Sequence, residues 1–164
     1  MKTIKRRRKE NKTDYGNRIK LLKSGIPRIV FRKTNKYFLV QYVTSKEAQD
    51  KVKFNLTSKE LIKYGWPEEF KNSLKSIPSA YLTGILTGKK IQENKLKTPI
   101  ADFGMLRMLH KTKVYGFLKG LIDAGIDIKC DKKTFPTQES IEGKFLKKDF
   151  SKNFEKIKLN INKK

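Results

Sequence analysis

Basic residues are concentrated at the two ends of this 164-residue chain, which confines any hydrophobic core to the residues between them. Residues 1–23 carry 10 Lys and Arg against two acidic residues, and residues 144–164 carry eight Lys against two. The central residues, 24–143, provide enough chain for one ordinary core but not for two. We therefore predict a basic N-terminal arm at 1–23, one folded domain at 24–143 and a basic C-terminal tail at 144–164.

The N-terminal arm contains a dense cluster of cations with no apolar residue among them. The cluster comprises Lys5, Arg6, Arg7, Arg8, Lys9 and Lys12. A segment of this composition cannot bury enough apolar surface to fold alone, so we expect an extended arm that is disordered until a polyanion orders it. The net charge of +24 favours the same kind of partner, because a compact state repels itself at that charge and solubility requires far less.

Cysteine usage and hydropathy exclude several other classes of protein. Cys130 is the only cysteine, so neither an intramolecular disulfide nor a zinc cluster is expected. The sequence contains no apolar run of the length that a signal peptide or a membrane span needs. The arm also lacks an apolar face before Ile19, which argues against binding to a membrane surface. We therefore expect a cytoplasmic protein with no membrane partner.

Three antiparallel β-strands are predicted at the start of the central domain. Residues 28–33 and 37–43 are rich in β-branched and aromatic side chains and flank a short polar turn, which is typical of a hairpin. Residues 51–57 alternate between apolar and polar side chains. This alternation predicts a third strand with one face on the core and the other in water.

The periodicity then changes to that of helices. Apolar and small residues recur on one helical face from Ile77 to Gly88, with Ser76 as a candidate N-cap. A short strand is predicted at 98–103. A second helix follows Thr112, its candidate N-cap. Both helices carry a stripe of small residues, which predicts a close approach of the helix backbone to a sheet or to RNA.

A last short helix is predicted after Pro136, with Ile141 and Phe145 facing the core. The resulting β-β-β-α-β-α order predicts an α/β fold in which helices cover a mixed sheet whose first three strands are antiparallel. This order resembles the ribonuclease H-like topology.

No constellation of catalytic residues is evident on this predicted fold. A two-metal nuclease needs several converging carboxylates. Here the first strand carries no acidic residue, and Asp102 stands alone on the fourth. The only histidine, His110, has Cys130 as its one possible thiol partner, and nothing in the sequence orients the pair. We therefore predict neither an enzyme nor a metal or cofactor site.

What remains is basic charge interleaved with aromatic and amide side chains, which suits RNA. The arm adds Thr13, Tyr15 and Arg18 to its cations. The hairpin contributes Arg28, Arg32, Lys33, Asn35, Lys36 and Tyr37. Further candidate contacts are Lys89, Lys90, Arg107, Lys111 and Lys113. We favour RNA over DNA because no recognition helix or zinc finger is evident, and basic arms beside a rigid domain suit a folded RNA.

Six blocks of sequence carry a family resemblance. They read KRRRKENKTDY at 5–15, RIKLLKSGIPRIVFRKTNKYFLVQ at 18–41, KELIKYGW at 59–66, AYLTGILTGKK at 80–90, ADFG at 101–104 and FLKGLIDAGIDI at 117–128. In this order they resemble the archaeal and eukaryotic branch of the uL18 (L18/L5) family of ribosomal proteins. Residues 106–111 and the tail depart from the family's pattern.

The resemblance implies a structural protein of the cytoplasmic ribosome, closer to archaeal than to eukaryotic members. It implies binding of 5S rRNA in the central protuberance of the large subunit, with contacts to 23S rRNA and to neighbouring proteins such as uL5. It also implies the translational-machinery variant of the ribonuclease H-like fold. The alternatives are an RNA-processing nuclease on the same fold, which the lack of converging carboxylates argues against, and a general nucleic-acid-binding protein on the same fold.

Overall fold

The computed structural model describes residues 3–47, 49–146 and 149–163. The helices are α1 (Arg6–Lys9), α2 (Tyr15–Lys23), α3 (Ile77–Glu93), α4 (Lys113–Asp123), α5 (Gln138–Glu142) and α6 (Ser151–Lys163). The strands are β1 (Arg28–Lys33), β2 (Phe38–Lys46), β3 (Gln49–Thr57) and β4 (Ile100–Asp102). Short 3₁₀ segments occur at Ser58–Tyr64, Glu68–Ser73 and Lys132–Thr134. None of the helices in these ranges is long and apolar enough to cross a bilayer.

The four strands form one mixed sheet in the order β3-β2-β1-β4. β1 pairs antiparallel with β2 and parallel with β4, and β2 pairs antiparallel with β3. The predicted β-β-β-α-β-α order and mixed α/β class are therefore confirmed. Alternation along β1 buries Ile29 and Phe31 in the hydrophobic core and directs Arg28 and Arg32 to the opposite face.

The helical layer is built on the crossing of α3 and α4. Gly84 of α3 lies so close to α4 that an added Cβ would overlap the carbonyl oxygen of Phe117. Gly120 of α4 lies equally close to the carbonyl oxygen of Tyr81. The stripes of small residues therefore face each other, and the expectation that they face a sheet or RNA is wrong for these glycines.

The N-terminal arm differs from the extended segment that its composition predicts. Asp14 caps α2, because its carboxylate accepts hydrogen bonds from the backbone N–H groups of Gly16 and Asn17. Leu21 and Leu22 are half-buried. Local capping and these two apolar side chains supply the helical stability that the charge pattern alone does not indicate.

The C-terminal residues also differ from the separate basic tail that was predicted at 144–164. Helix α6 buries Phe154, Ile157 and Ile161 in the same core as the sheet and α3. The ring of Phe150, just before the helix, lies 4.6 Å from that of Trp66, measured between centroids. These apolar residues recur at helical spacing, but eight lysines around them obscure the pattern.

The short helix after Pro136 is confirmed as α5, and its boundaries explain one wrong prediction. Ile141 is buried as expected. Phe145 is 74% exposed instead of facing the core. Gly143, with φ of 84°, ends the helix in the left-handed region, so Phe145 no longer follows the helical period.

Replacing Gly120 with alanine tests the helix crossing. We expect Gly120→Ala to lower the free energy of unfolding by about 2–3 kcal/mol, because rigid backbone on both helices must shift. Urea denaturation followed by circular dichroism measures the loss. Gly16→Ala in α2 is the matched control, since its new Cβ would meet its nearest neighbour at an ordinary 3.5 Å. Equal stability of the two variants would contradict the packing described here.

Candidate nucleic-acid interface

Three arginines and two aspartates form a continuous chain of ion pairs that joins the arm to the sheet. Arg18 in α2 contacts Asp50 in β3 at 2.8 Å, and Asp50 contacts Arg28 in β1 at 2.6 Å. Arg28 also contacts Asp102 in β4 at 3.1 Å, and Asp102 contacts Arg32 at 3.2 Å. We call this set the arginine–aspartate chain. It links α2 to β3 through Arg18, and links β3 through Arg28 to β1 and β4.

Arg28 lies at the centre of this chain, and its side chain is only 3% exposed. Its guanidinium donates hydrogen bonds to Asp50, Asp102 and Ser45. Because a buried charge without partners is costly, the two carboxylates are what allow an arginine in the sheet interior. The prediction that Arg28 contacts RNA does not fit this burial. Arg32, whose side chain is 40% exposed, remains a candidate contact.

The cations of the arm are exposed and make mostly local contacts. Arg6 and Lys12 both pair with Glu10, at 3.0 and 2.7 Å. Hydrogen bonds from Lys12 and Arg6 lower the pKa of Glu10. The Nε of Arg7 donates to the Thr13 hydroxyl at 2.9 Å. Since exposed ion pairs contribute little to stability, a phosphate can replace these local partners at small cost.

The arm also reaches the loop between β4 and α4. The Nη1 of Arg8 lies 3.6 Å from the sulfur of Met105 in that loop. Lys9 is exposed beside Arg8. The ammonium of Lys5 lies 4.6 Å from the centroid of the Tyr15 ring, a cation–π contact within the arm. The basic surface of the arm therefore continues onto the loop.

The turn between β1 and β2 is shaped by one hydroxyl group. The Oγ1 of Thr34 donates to the carbonyl oxygen of Tyr37 at 2.6 Å and accepts from the backbone N–H of Tyr37 at 3.0 Å. It also accepts from the backbone N–H of Lys36 at 3.3 Å. Asn35 and Lys36 are left exposed at the tip of the hairpin, where phosphate or base contacts are unobstructed.

A cleft of about 450 Å³ opens at the start of α4, and we call it the α4 cleft. Its basic lining residues are Lys33, Arg107, Lys111 and Lys113, and none of its lining residues is acidic. The N-terminus of α4 adds the partial positive charge of the helix dipole. The structure therefore brings together predicted RNA contacts from β1, the loop and α4.

Lys113 is half-buried and lies near other lysines. Its pKa is lowered first by burial and then by the positive charges of Lys33 and Lys75. Like charges gathered around a half-buried ammonium favour an anion between them. Lys75 was not among the residues predicted from the sequence.

A second cleft, of about 580 Å³, lies between the β1–β2 turn and the first two 3₁₀ segments, and we call it the hairpin cleft. The sequence-based predictions missed four of its polar lining residues: Lys59, Lys71, Asn72 and Lys75. They lie in or next to 3₁₀ segments of 7 and 6 residues, which are too short for their three-residue period to reveal from sequence which side chains share a face. The only feature of the sequence that could have indicated these contacts is the density of basic and amide side chains in these segments.

Two predicted contacts at the end of α3 are instead engaged with protein. The ammonium of Lys89 donates to the carbonyl oxygen of Ile161 near the end of α6. The ammonium of Lys90 lies 3.4 Å from a carboxylate oxygen of Glu60. Both lysines are half-buried. Lys89 therefore helps to attach α6, and neither side chain projects freely from the surface.

These features form one surface, which we call the basic band: the exposed cations of residues 5–12, the loop at 103–112, the α4 cleft and the hairpin cleft. Arg8 joins the arm to the loop. Lys75, which lines the hairpin cleft, is near Lys113 of the α4 cleft. Within residues 3–47, 49–146 and 149–163, no group of three or more His, Cys, Asp or Glu could hold a metal ion.

Comparisons with known proteins find similarity to ribosomal proteins. A family model described as "Ribosomal large subunit proteins 60S L5, and 50S L18" matches residues 1–101. A large ribosomal subunit protein uL18 of Korarchaeum cryptofilum is 41% identical, covering 86% of this chain and 70% of that protein. The protein of the same name from Methanoregula boonei is 34% identical, covering 96% of this chain and 92% of that protein. The one from Haloarcula marismortui is 42% identical over 75% of this chain and 64% of that protein.

The arginine–aspartate chain predicts a pH-dependent stability. Burial tends to raise the pKa of Asp50, but hydrogen bonds from Ser45 and Arg18 and the charge of Arg28 lower it below its usual value. A carboxyl with a depressed folded pKa stabilises the fold above its unfolded pKa of about 3.9, and that stabilisation is lost as the pH falls through the folded pKa. Asp50→Asn should therefore cost about 1–2 kcal/mol at pH 7.

Urea denaturation of both proteins from pH 7 to pH 2 measures this effect. We expect the stability difference between wild type and Asp50→Asn to shrink below about pH 4. The control is Asp127→Asn, at an exposed aspartate that is not part of the arginine–aspartate chain. If the stability difference between wild type and Asp50→Asn stayed constant with pH, the charge of Asp50 would not be what stabilises the arginine–aspartate chain.

Proposed function

Because this chain belongs to the uL18 family of large ribosomal subunit proteins, we propose that it binds 5S rRNA and helps to attach it to 23S rRNA in the central protuberance. Family membership makes it a structural component of the cytoplasmic ribosome and not an enzyme. The relatives named above are archaeal, so the chain is of the archaeal type.

The basic band is the observation that supports RNA binding most directly. Its cations come from the arm, the loop and two clefts, and the arginine–aspartate chain holds the arm in place beside the sheet. Arginine bonds phosphate in a bidentate manner, whereas lysine acts as a point charge. Arg6, Arg7 and Arg8 on the exposed arm suit phosphates of a folded RNA, and the lysines of the clefts supply further charge.

The proposed mechanism separates affinity from specificity. Phosphate contacts along the basic band would provide most of the affinity and make it strongly dependent on salt. Specificity would come from the fit of the two clefts and the hairpin tip to the shape of the folded RNA, since phosphate contacts do not report sequence. Contacts with 23S rRNA and with uL5 are proposed from the family relationship alone.

Removing the arginine cluster tests the proposed role of the arm. We expect the triple variant Arg6→Gln, Arg7→Gln, Arg8→Gln to bind 5S rRNA more weakly, with a slope of log Kd against log salt reduced by about 2–3 units. The matched control removes three lysines from the exposed side of α6: Lys152→Gln, Lys156→Gln and Lys163→Gln. Filter binding at several salt concentrations, with tRNA and duplex DNA as competitors, measures both effects.

Two outcomes of this experiment would contradict the proposal. Equal affinity of the wild-type protein for 5S rRNA, tRNA and duplex DNA would favour the alternative of a general nucleic-acid-binding protein. An equal loss of affinity in the arm variant and the α6 variant would mean that net charge, and not the position of the arm, determines binding.

Lys113→Gln tests whether the α4 cleft binds an anion. Because the folded pKa of Lys113 is lowered, the charged form opposes folding, and its removal should raise the melting temperature of the free protein. The same variant should weaken 5S rRNA binding and reduce the salt slope by about 0.7–0.9 if one phosphate contact is lost. Lys129→Gln, in the loop after α4, is the control and should change neither quantity. A Lys113 variant with reduced stability and unchanged RNA affinity would assign this lysine to folding instead.

A further inference from the structure

The hairpin cleft combines an apolar floor with a basic rim. Tyr37 is half-buried, Leu74 is buried, and Ile62 is 42% exposed within the cleft. The lining lysines, Lys36, Lys59, Lys71 and Lys75, are all exposed. None of the lining residues is acidic. A ligand for this cleft therefore needs an apolar part to cover Ile62 and Tyr37 and a negative charge to face the lysines.

Two asparagines supply the cleft with side-chain amides that can form hydrogen bonds to a ligand. Asn35 and Asn72 both line the cleft, the first on the β1–β2 turn and the second on the second 3₁₀ segment. Neither side-chain amide makes a hydrogen bond within the described part of the chain. Each amide offers both a donor and an acceptor, which matches the edge of a nucleobase.

The ring of Tyr37 is already part of a cationic contact. The ammonium of Lys59 lies 4.5 Å from the centroid of this ring. A base that stacks on the ring face covered by Lys59 would displace the ammonium, which would then be free to pair with the phosphate of the same nucleotide. The volume of about 580 Å³ lies within the range of small-ligand sites.

We propose that the hairpin cleft binds one unpaired nucleotide of the RNA, with the base stacked on Tyr37 and its edge bonded to Asn35 or Asn72. The inference rests on the proposed function, because it assumes an RNA partner, but it adds a site that reads a base. A base inside an A-form helix is stacked, its pairing edge is occupied by its partner base, and its major-groove edge lies in a deep, narrow groove. The occupant must therefore come from a loop or a bulge.

The stacking interaction has a signature that phosphate contacts do not share. Tyr37→Leu keeps an apolar side chain in the cleft and removes the aromatic face. We expect the full-length variant to bind 5S rRNA about tenfold more weakly, the effect typical of losing one stacked base. The salt slope should not change, because an uncharged contact releases no counterions. Thermal melting of the free protein checks that the variant is folded.

Chemical probing of the RNA locates the base. With the wild-type protein bound, one unpaired nucleotide of 5S rRNA should lose reactivity at its base-pairing edge. The double variant Asn35→Ala, Asn72→Ala should restore that reactivity, while Asn162→Ala, at an exposed asparagine on α6, should not. Ultraviolet crosslinking followed by mass spectrometry should find a nucleotide on the peptide that contains Tyr37.

The outcomes separate this inference from the proposed function. If wild-type protein prefers 5S rRNA but Tyr37→Leu and the double variant Asn35→Ala, Asn72→Ala bind and protect it as wild type does, the nucleotide site is overturned and the proposed function stands. If wild-type protein shows no preference for 5S rRNA, the proposed function fails. In that case a single-stranded RNA octamer decides the inference: weaker binding by Tyr37→Leu at unchanged salt slope supports the site, and unchanged binding overturns it.

Discussion

Burial of the Arg28 guanidinium is the constraint on which the arrangement of the other parts depends. The charge lies inside the sheet, where it is tolerated only with both Asp50 and Asp102 in contact. Those two carboxylates come from the two edge strands, so their ion pairs with Arg28 tie both edges of the sheet to β1. Asp50 has a second oxygen for Arg18, and this contact places the arm helix on the sheet. Arg28 therefore organises the platform from which the other cations project.

The opposite face of the sheet packs against helices through apolar side chains, and the positions of these helices are also tightly constrained. Gly84 and Gly120 allow the backbones of α3 and α4 to touch, which lets Phe117 reach Phe31 at 4.6 Å between ring centroids. Helix α4 is thereby set with its N-terminus beside Lys33. The α4 cleft and its crowded lysines are a consequence of this helix crossing. Packing in the core thus determines where the positive charge of the surface is concentrated.

Different parts of the fold were predictable for different physical reasons. β1 and α4 were predicted closely because their side-chain periodicity is a local property, recorded within a few residues. Helix α6 was missed because Phe154, Ile157 and Ile161 are spaced among lysines. Only their burial in the core shows that they form one apolar face. The hairpin cleft was recognised in part: Asn35, Lys36 and Tyr37 lie in an obvious turn, whereas the 3₁₀ segments are too short for their three-residue period to stand out in the sequence.

The sequence by itself indicated a polyanionic partner and the β-β-β-α-β-α order of the central domain, because charge composition and local periodicity require no knowledge of distant residues. The sequence also indicated the family, through blocks of similar residues that occur in the same order along the chain. Only the tertiary structure decided which cations are available to that partner. Arg28 and Asp102 are 74 residues apart, and Lys89 meets the carbonyl oxygen of a residue 72 positions away. Whether an arginine or lysine is neutralised or free depends on such neighbours, which come together only when the chain is folded.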